Sequence, residues 1–266
     1  MSMKRNMRVG AILKTLMDYP GEIFTLNYFS ERLKAAKSSI SEDIVILKSL
    51  FRELNIGSIE TITGASGGVM VKPYKSDEDK RRLLEKISEM LMGKERLIPG
   101  GFLYYADILY QAHYVKDLGE IIAQRFVDER IDYVMTIETK GITLGLMTAN
   151  YLNVPLVVAR KDNRISEGAT ISINYVSGST GNLSTMYCAK RSIKRGKRVL
   201  IVDDFLRGGG TVRGMMDLVS EFESEVVGVA VFIDNRSQKR KMVQDYYAVL
   251  AMDVAGDQIH LEPQGL

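Results

Sequence analysis

The chain has 266 residues, 45% hydrophobic and 26% charged, which is enough apolar material for a substantial core and a length above the usual single domain. Its single cysteine, Cys188, excludes an intrachain disulfide and a four-cysteine zinc site, as expected of a cytosolic protein. The formal net charge is only +3, but the whole basic excess lies in residues 1–74, which fits a nucleic-acid module joined to a neutral domain.

The basic residues Lys4, Arg5 and Arg8 precede an apolar stretch broken by Lys14, Asp18 and Pro20, so no signal peptide is predicted. No apolar run approaches the ~20 residues of a membrane span. Residues 8–19 set Val9, Ile12, Leu13 and Leu16 at helical spacing before Pro20-Gly21 stops the helix. A second short helix is predicted over residues 26–34. In a third, Ile40, Ile44, Leu47, Phe51 and Leu54 recur at alternating spacings of four and three. Ser39 and Glu42 read as a capping box that starts this helix at about Ile40.

After Gly57 the period becomes two. Ile59 and Thr61, then Val69 and Val71, flank Gly64-Ala65-Ser66-Gly67-Gly68, the pattern of a hairpin with a glycine-rich tip. Three helices and a hairpin is the order of a winged helix-turn-helix, whose third helix enters the major groove of DNA. A small three-helix module that binds protein fits the same pattern. On the DNA reading, Lys37, Ser38, Ser39 and Ser41 open the recognition helix, Ser39 being occupied as its cap, while Arg5, Arg8 and Lys72 touch phosphates.

Residues 75–92 read as a charged connecting helix, which sets the expected boundary: a DNA-binding domain over 1–74 and a second domain over 75–266. Beyond it the chain alternates helix 114–130, strand 131–137, helix 142–151, strand 154–160, strand 197–203, helix 211–222 and strand 226–233. Such alternation predicts a parallel sheet with helices on both faces. His113 and His260 are far apart and form no metal-ligand pattern, so no metal or catalytic role is expected of them.

The chemistry concentrates at strand ends. In the segment from Arg198 to Thr211, four apolar residues lead to Asp203 and Asp204, then Phe205, Leu206, Arg207 and the run Gly208-Gly209-Gly210 before Thr211. Ligands of open α/β sheets bind beyond the carboxyl ends of strands, and glycines let backbone N–H groups close on an anion at a helix start. Paired carboxylates there suit the vicinal hydroxyls of a sugar. Thr139, Lys140 and Gly141 end a second such strand and Arg160 and Lys161 a third, so that basic side chains from all three would meet in one anion site.

The segment Val199-Leu-Ile-Val-Asp203-Asp204-Phe-Leu-Arg-Gly-Gly-Gly-Thr211 resembles the motif with which type I phosphoribosyltransferases bind phosphoribosyl pyrophosphate (PRPP). The resemblance implies that Asp203 and Asp204 hold the ribose hydroxyls, that Phe205–Thr211 wrap the 5′-phosphate, that Thr139–Gly141 form the pyrophosphate loop, and that the stretch from Arg160 through Tyr175 to Gly181 is a loop closing over the site. Together with residues 35–43, 64–68, 95–101 and 174–179, these motifs resemble the purine operon repressors of Gram-positive bacteria over nearly the whole chain. That family implies a homodimeric repressor of purine biosynthesis and transport genes whose operator DNA is released by PRPP. Guanosine tetraphosphate is implied as a further occupant of the PRPP pocket, and no cofactor is implied.

Two departures from the transferase pattern stand out. Gly208 replaces a threonine, and Asn235, in Phe232-Ile-Asp-Asn235, replaces a lysine that reads the base in transferases of the xanthine type. Both argue against turnover. Phe232, Tyr246 and Tyr247 are the candidates for stacking on a purine. The competing readings are a working purine phosphoribosyltransferase and an RNA-binding attenuator built on the same sensor fold. The winged-helix order favours duplex DNA, because the major groove of A-form RNA does not admit a helix.

Overall fold

The structure, a computed structural model, describes residues 3–64, 67–98, 102–177, 181–256 and 258–264. Ala65 and Ser66 of the expected hairpin tip, residues 99–101, and Gly178, Ser179 and Thr180 of the expected closing loop lie outside the described residues. The chain forms two compact units, Met1–Ser76 with Asn150–Asn153, and Asp77–Ala149 with Val154–Leu266.

The first unit follows the apolar spacing of its sequence: helices α1 (Arg5–Asp18), α2 (Leu26–Leu33) and α3 (Lys37–Leu54), then antiparallel strands β1 (Gly57–Ile62) and β2 (Gly68–Pro73). Ile12, Leu16, Ile40, Leu47 and Val71 are fully buried in its core. Full burial of each such side chain is worth about 1.5–3 kcal/mol. Leu54, expected to close the stripe of α3, is instead exposed in its last turn. The capping box does not form. Helix α3 begins at Lys37 after an extended Ala36, whose carbonyl accepts from the Ile40 amide, and no side chain caps it. The helix gains nearly a turn, and Ser39, which the box would have made its cap, lies inside the first turn. Glu42 turns to Arg5 instead, at 3.3 Å.

Where β2 leaves the hairpin tip, an added Cβ on Gly68 would lie 2.3 Å from the Phe24 carbonyl oxygen, so only glycine lets the strand pass this closely. Asp43, on α3 and fully buried, accepts from Arg8 Nε at 2.7 Å and from its Nη2 at 3.1 Å, a bidentate clasp between α1 and α3.

The second unit opens with α4 (Asp77–Leu91), the short paired strands β3 (Leu97–Ile98) and β4 (Phe102–Leu103), α5 (Ala106–Leu109) and α6 (Ala112–Arg125). Its six-stranded sheet has the order β12-β11-β10-β9-β5-β6. The strands are β5 (Tyr133–Ile137), β6 (Leu156–Ala159), β9 (Arg198–Leu206), β10 (Glu225–Asn235), β11 (Tyr247–Ala255) and β12 (Gln258–Pro263). All pairs are parallel except β11 with β12. Val199, Leu200, Ile201 and Val202 are fully buried, so β9 is covered on both faces, which is why its sequence runs apolar without alternation. Helices α7 (Gly141–Leu152) and α8 (Gly210–Glu221) follow β5 and β9.

Two features were not expected. β11 and β12 extend the sheet beyond β10, and the stretch from Arg160 to Gly181 read as a loop holds β7 (Thr170–Val176), which pairs antiparallel with β8 (Leu183–Ala189) just after it. This hairpin lies on α8 at Gly214, where a Cβ would be 2.9 Å from Tyr175 Cβ and 2.7 Å from Met186 Cε. Cys188, on β8, is buried, and burial pushes its thiol up to about 11, so it stays protonated.

Candidate functional site

The parallel strands β9, β5 and β6 deliver their carboxyl ends to one cavity of about 580 Å³. Thr139 and Lys140 after β5, Lys161 after β6, and Asp203 through Thr211 from β9 to the first turn of α8 all line it. The three strand ends singled out in the sequence therefore do meet. Two of their residues do not face the cavity. Arg160 turns aside to Glu167 at 2.9 Å and Glu138 at 3.1 Å. Gly141 sits over Thr136, where a Cβ would approach Oγ1 at 2.4 Å, so its lack of a side chain lets α7 start against the strand. Burial works against the charge of Glu138, but the Lys161 amide and Arg160 outweigh it and hold the carboxyl below its usual range.

The acid pair is unevenly solvated. Asp203 is 3% exposed, and its Oδ1 accepts the backbone N–H of Asp204 at 2.9 Å. Burial, with the neighbouring Asp204 charge, pushes the Asp203 carboxyl well above its usual range. No ion pair reaches either acid among the described residues, and Asp204 Oδ2 accepts from the Tyr105 hydroxyl at 2.5 Å. Beyond them, Gly209 has φ +78°, and a Cβ there would strike Val243 Cγ2 at 2.9 Å. This glycine supplies both the left-handed turn and the close approach that bring the start of α8 to the cavity wall.

Sequence reasoning missed the roof of the cavity. Ile98, Phe102, Leu103, Tyr104 and Tyr105, on and just after β3–β4, line it, and so does Tyr175 of β7. The expected stacking candidates do not line it. Phe232 is fully buried and meets Tyr105 edge-on, the Tyr246 hydroxyl bonds Asp234, and Tyr247 lies outside the lining. Asn235 does reach the cavity. The only signal for the roof was the aromatic cluster at residues 102–105, and nothing local says that it meets a motif one hundred residues later.

In the first unit, Lys37, Ser38 and Ser41 stand exposed at the start of α3, and Ser39 is half-buried without the capping bond expected of it. Lys37 and Ser41 border a groove of about 470 Å³ that also includes Thr25, Asn27, Thr63 and Gly64, with no carboxylate in its described lining. Arg5 is half-exposed beside Glu42, and Lys72 pairs with Glu60 at 3.0 Å. Arg8 departs from expectation. Its side chain is only 11% exposed and committed to Asp43, so it is a tie within the fold rather than an open phosphate contact.

A winged-helix unit and a phosphoribosyltransferase-like sheet with an acid pair over a glycine loop define a two-domain regulator rather than a lone transferase. Residues 4–73 match the family described as bacterial purine repressor, N-terminal, and residues 105–264 match the phosphoribosyl transferase domain. A probable purine biosynthesis transcriptional regulator of Streptococcus pneumoniae is 47% identical over 98% of this chain and 97% of its own. The purine biosynthesis transcriptional repressor of Bacillus subtilis is 41% identical over 95% of this chain and 88% of its own. The corresponding activator of Lactococcus lactis subsp. lactis is 41% identical over 94% and 93%. Among solved structures, the adenine phosphoribosyltransferase of Thermoanaerobacter pseudethanolicus shares the fold, with TM-score 0.55 and 24% identity over 63% of this chain and 99% of that one. The chain belongs to the family of bacterial purine biosynthesis transcriptional regulators.

Proposed function

We propose that this protein is a cytoplasmic repressor of purine biosynthesis and transport genes that binds operator DNA through α3 and the β1–β2 hairpin and lets go when PRPP fills the cavity of the second unit. One observation carries the effector half of this reading. Asp203 and Asp204 share a cavity with the Gly208–Gly210 turn, Lys140 and Lys161, so acceptors for a ribose diol stand among donors for phosphate and diphosphate. Guanosine tetraphosphate, which brings a ribose and two diphosphates but no free vicinal diol, is a second candidate occupant through the phosphate donors. The protein acts as a homodimer, since one winged helix covers too little DNA for specificity and a two-fold protein matches symmetric half-sites. Gly208 and Asn235 support binding without turnover, because each lacks the donor an active transferase has there.

The test is the variant Asp203→Ala with Asp204→Ala in a gel shift on the chain's own upstream DNA. An effector shifts an equilibrium only through its differential affinity for the two states. The variant is expected to hold operator as the native protein does and to stay bound when PRPP is added. Normal release by PRPP places the ligand elsewhere, and loss of DNA binding without ligand makes the pair structural.

A further inference from the structure

Asp204 already holds a donor from within the chain. The Tyr105 hydroxyl donates to Asp204 Oδ2 at 2.5 Å, from a side chain that is 5% exposed and lines the same cavity. Its position is built from several elements. The ring stacks on Phe205 with centroids 5.8 Å apart and planes 14° off parallel, and Lys140 Nζ stands 4.3 Å from its centre. Burial, then the Asp204 charge, pushes the phenol far above its ordinary range, so it remains a donor at any physiological pH.

A phenol O–H and a sugar O–H ask the same thing of a carboxylate. A ribose hydroxyl that donates to Oδ2 from the cavity takes the place the phenol oxygen holds, and charge-assisted bonds of this kind are among the stronger ones a side chain makes. A ligand that carries only phosphate engages the glycine turn and the lysines and has no business with Asp204. We propose that Tyr105 is a specificity-determining residue of the cavity, competing for Asp204 with the ligand's ribose diol, so that a diol-bearing ligand displaces it and a simple phosphate leaves it in place. This rests on reading the cavity as a ribose-phosphate site.

The experiment is calorimetry on the full chain with PRPP, ribose 5-phosphate and inorganic pyrophosphate, comparing the native protein with Tyr105→Phe. Phenylalanine keeps the ring on Phe205 and removes only the competing hydroxyl; Tyr105→Leu serves if the first variant does not fold. PRPP and ribose 5-phosphate are expected to bind about tenfold more tightly to the variant, the worth of one hydrogen bond to a charged group, with pyrophosphate unchanged. Equal or weaker binding of the two ribose ligands overturns the proposal while leaving the ribose-phosphate reading intact. A gain that pyrophosphate shares also overturns it, since the effect is then not directed at the diol. Failure of both ribose ligands to bind either protein removes the underlying reading and this proposal with it.

Discussion

The first unit buries Asp43 and the second buries Asp203 and the Lys241-paired Asp234, and Asp43 and Asp203 are treated in opposite ways. Asp43 has no exposed surface and is met by Arg8 at 2.7 Å and Arg5 at 3.4 Å. Asp203 is almost as deep, yet its near neighbours are a second carboxylate and that residue's amide, with no ion pair among the described residues. A buried charge that is paired serves architecture. One left unpaired is costly to the fold and is kept where a ligand, not the chain, completes it. The contrast separates scaffold from site without reference to any relative.

The comparison breaks most visibly at its extremes. Asp43→Ala strands Arg8 beside a void and is expected to cost about 3–5 kcal/mol, read as a large fall in the unfolding midpoint with operator binding lost alongside. Asp203→Asn, by contrast, keeps an oxygen for the Asp204 amide and is expected to stabilise by about 1–2 kcal/mol at pH 7 while abolishing the response to PRPP. Because the folded carboxyl titrates above its unfolded value, Asp203 weakens the fold only as pH rises above the ordinary carboxylate range. The gain from asparagine should therefore vanish below about pH 4. Equal losses of stability in both variants would erase the distinction.

The smallest effect sharpens it. Lys37 is exposed beside the groove of the first unit and bears no structural pair in the described residues. Lys37→Ala is expected to leave stability within about 0.5 kcal/mol and to flatten the salt dependence of DNA binding by about one unit of slope. A change of sequence preference with an unchanged slope would show that Lys37 reads a base rather than a phosphate.

What could be read from the sequence tracks how local each feature is. The acid pair, the glycine turn and the strand before them occupy fourteen consecutive positions, and burial, turn and helix start are all dictated within that stretch. The amphipathic stripe of α3 was legible for the same reason. The tie made by Arg8 is not legible because its partner is 35 residues away, and a basic residue near an N-terminus looks the same whether it faces phosphate or a buried acid. Tyr105 was missed because it meets Asp204 across 99 residues. The β7–β8 hairpin is hidden because Ser172, Asn174, Ser184 and Thr185 read as loop, with only Tyr175, Met186, Cys188 and Ala189 buried in it. The start of α3 was placed late because an extended Ala36 leaves no side-chain signature at all.

One close approach governs how this second unit can move. Gly214 leaves no clearance between α8 and the hairpin: the backbone of the helix touches Tyr175 and Met186 directly. The element that begins at the glycine turn and the element that flanks the cavity mouth are thus seated flush, like two faces of a lapped joint. Swinging the hairpin as a rigid arm would part that seam and expose the side chains packed in it. A displacement of the glycine turn is therefore felt at the hairpin with no lost motion in between.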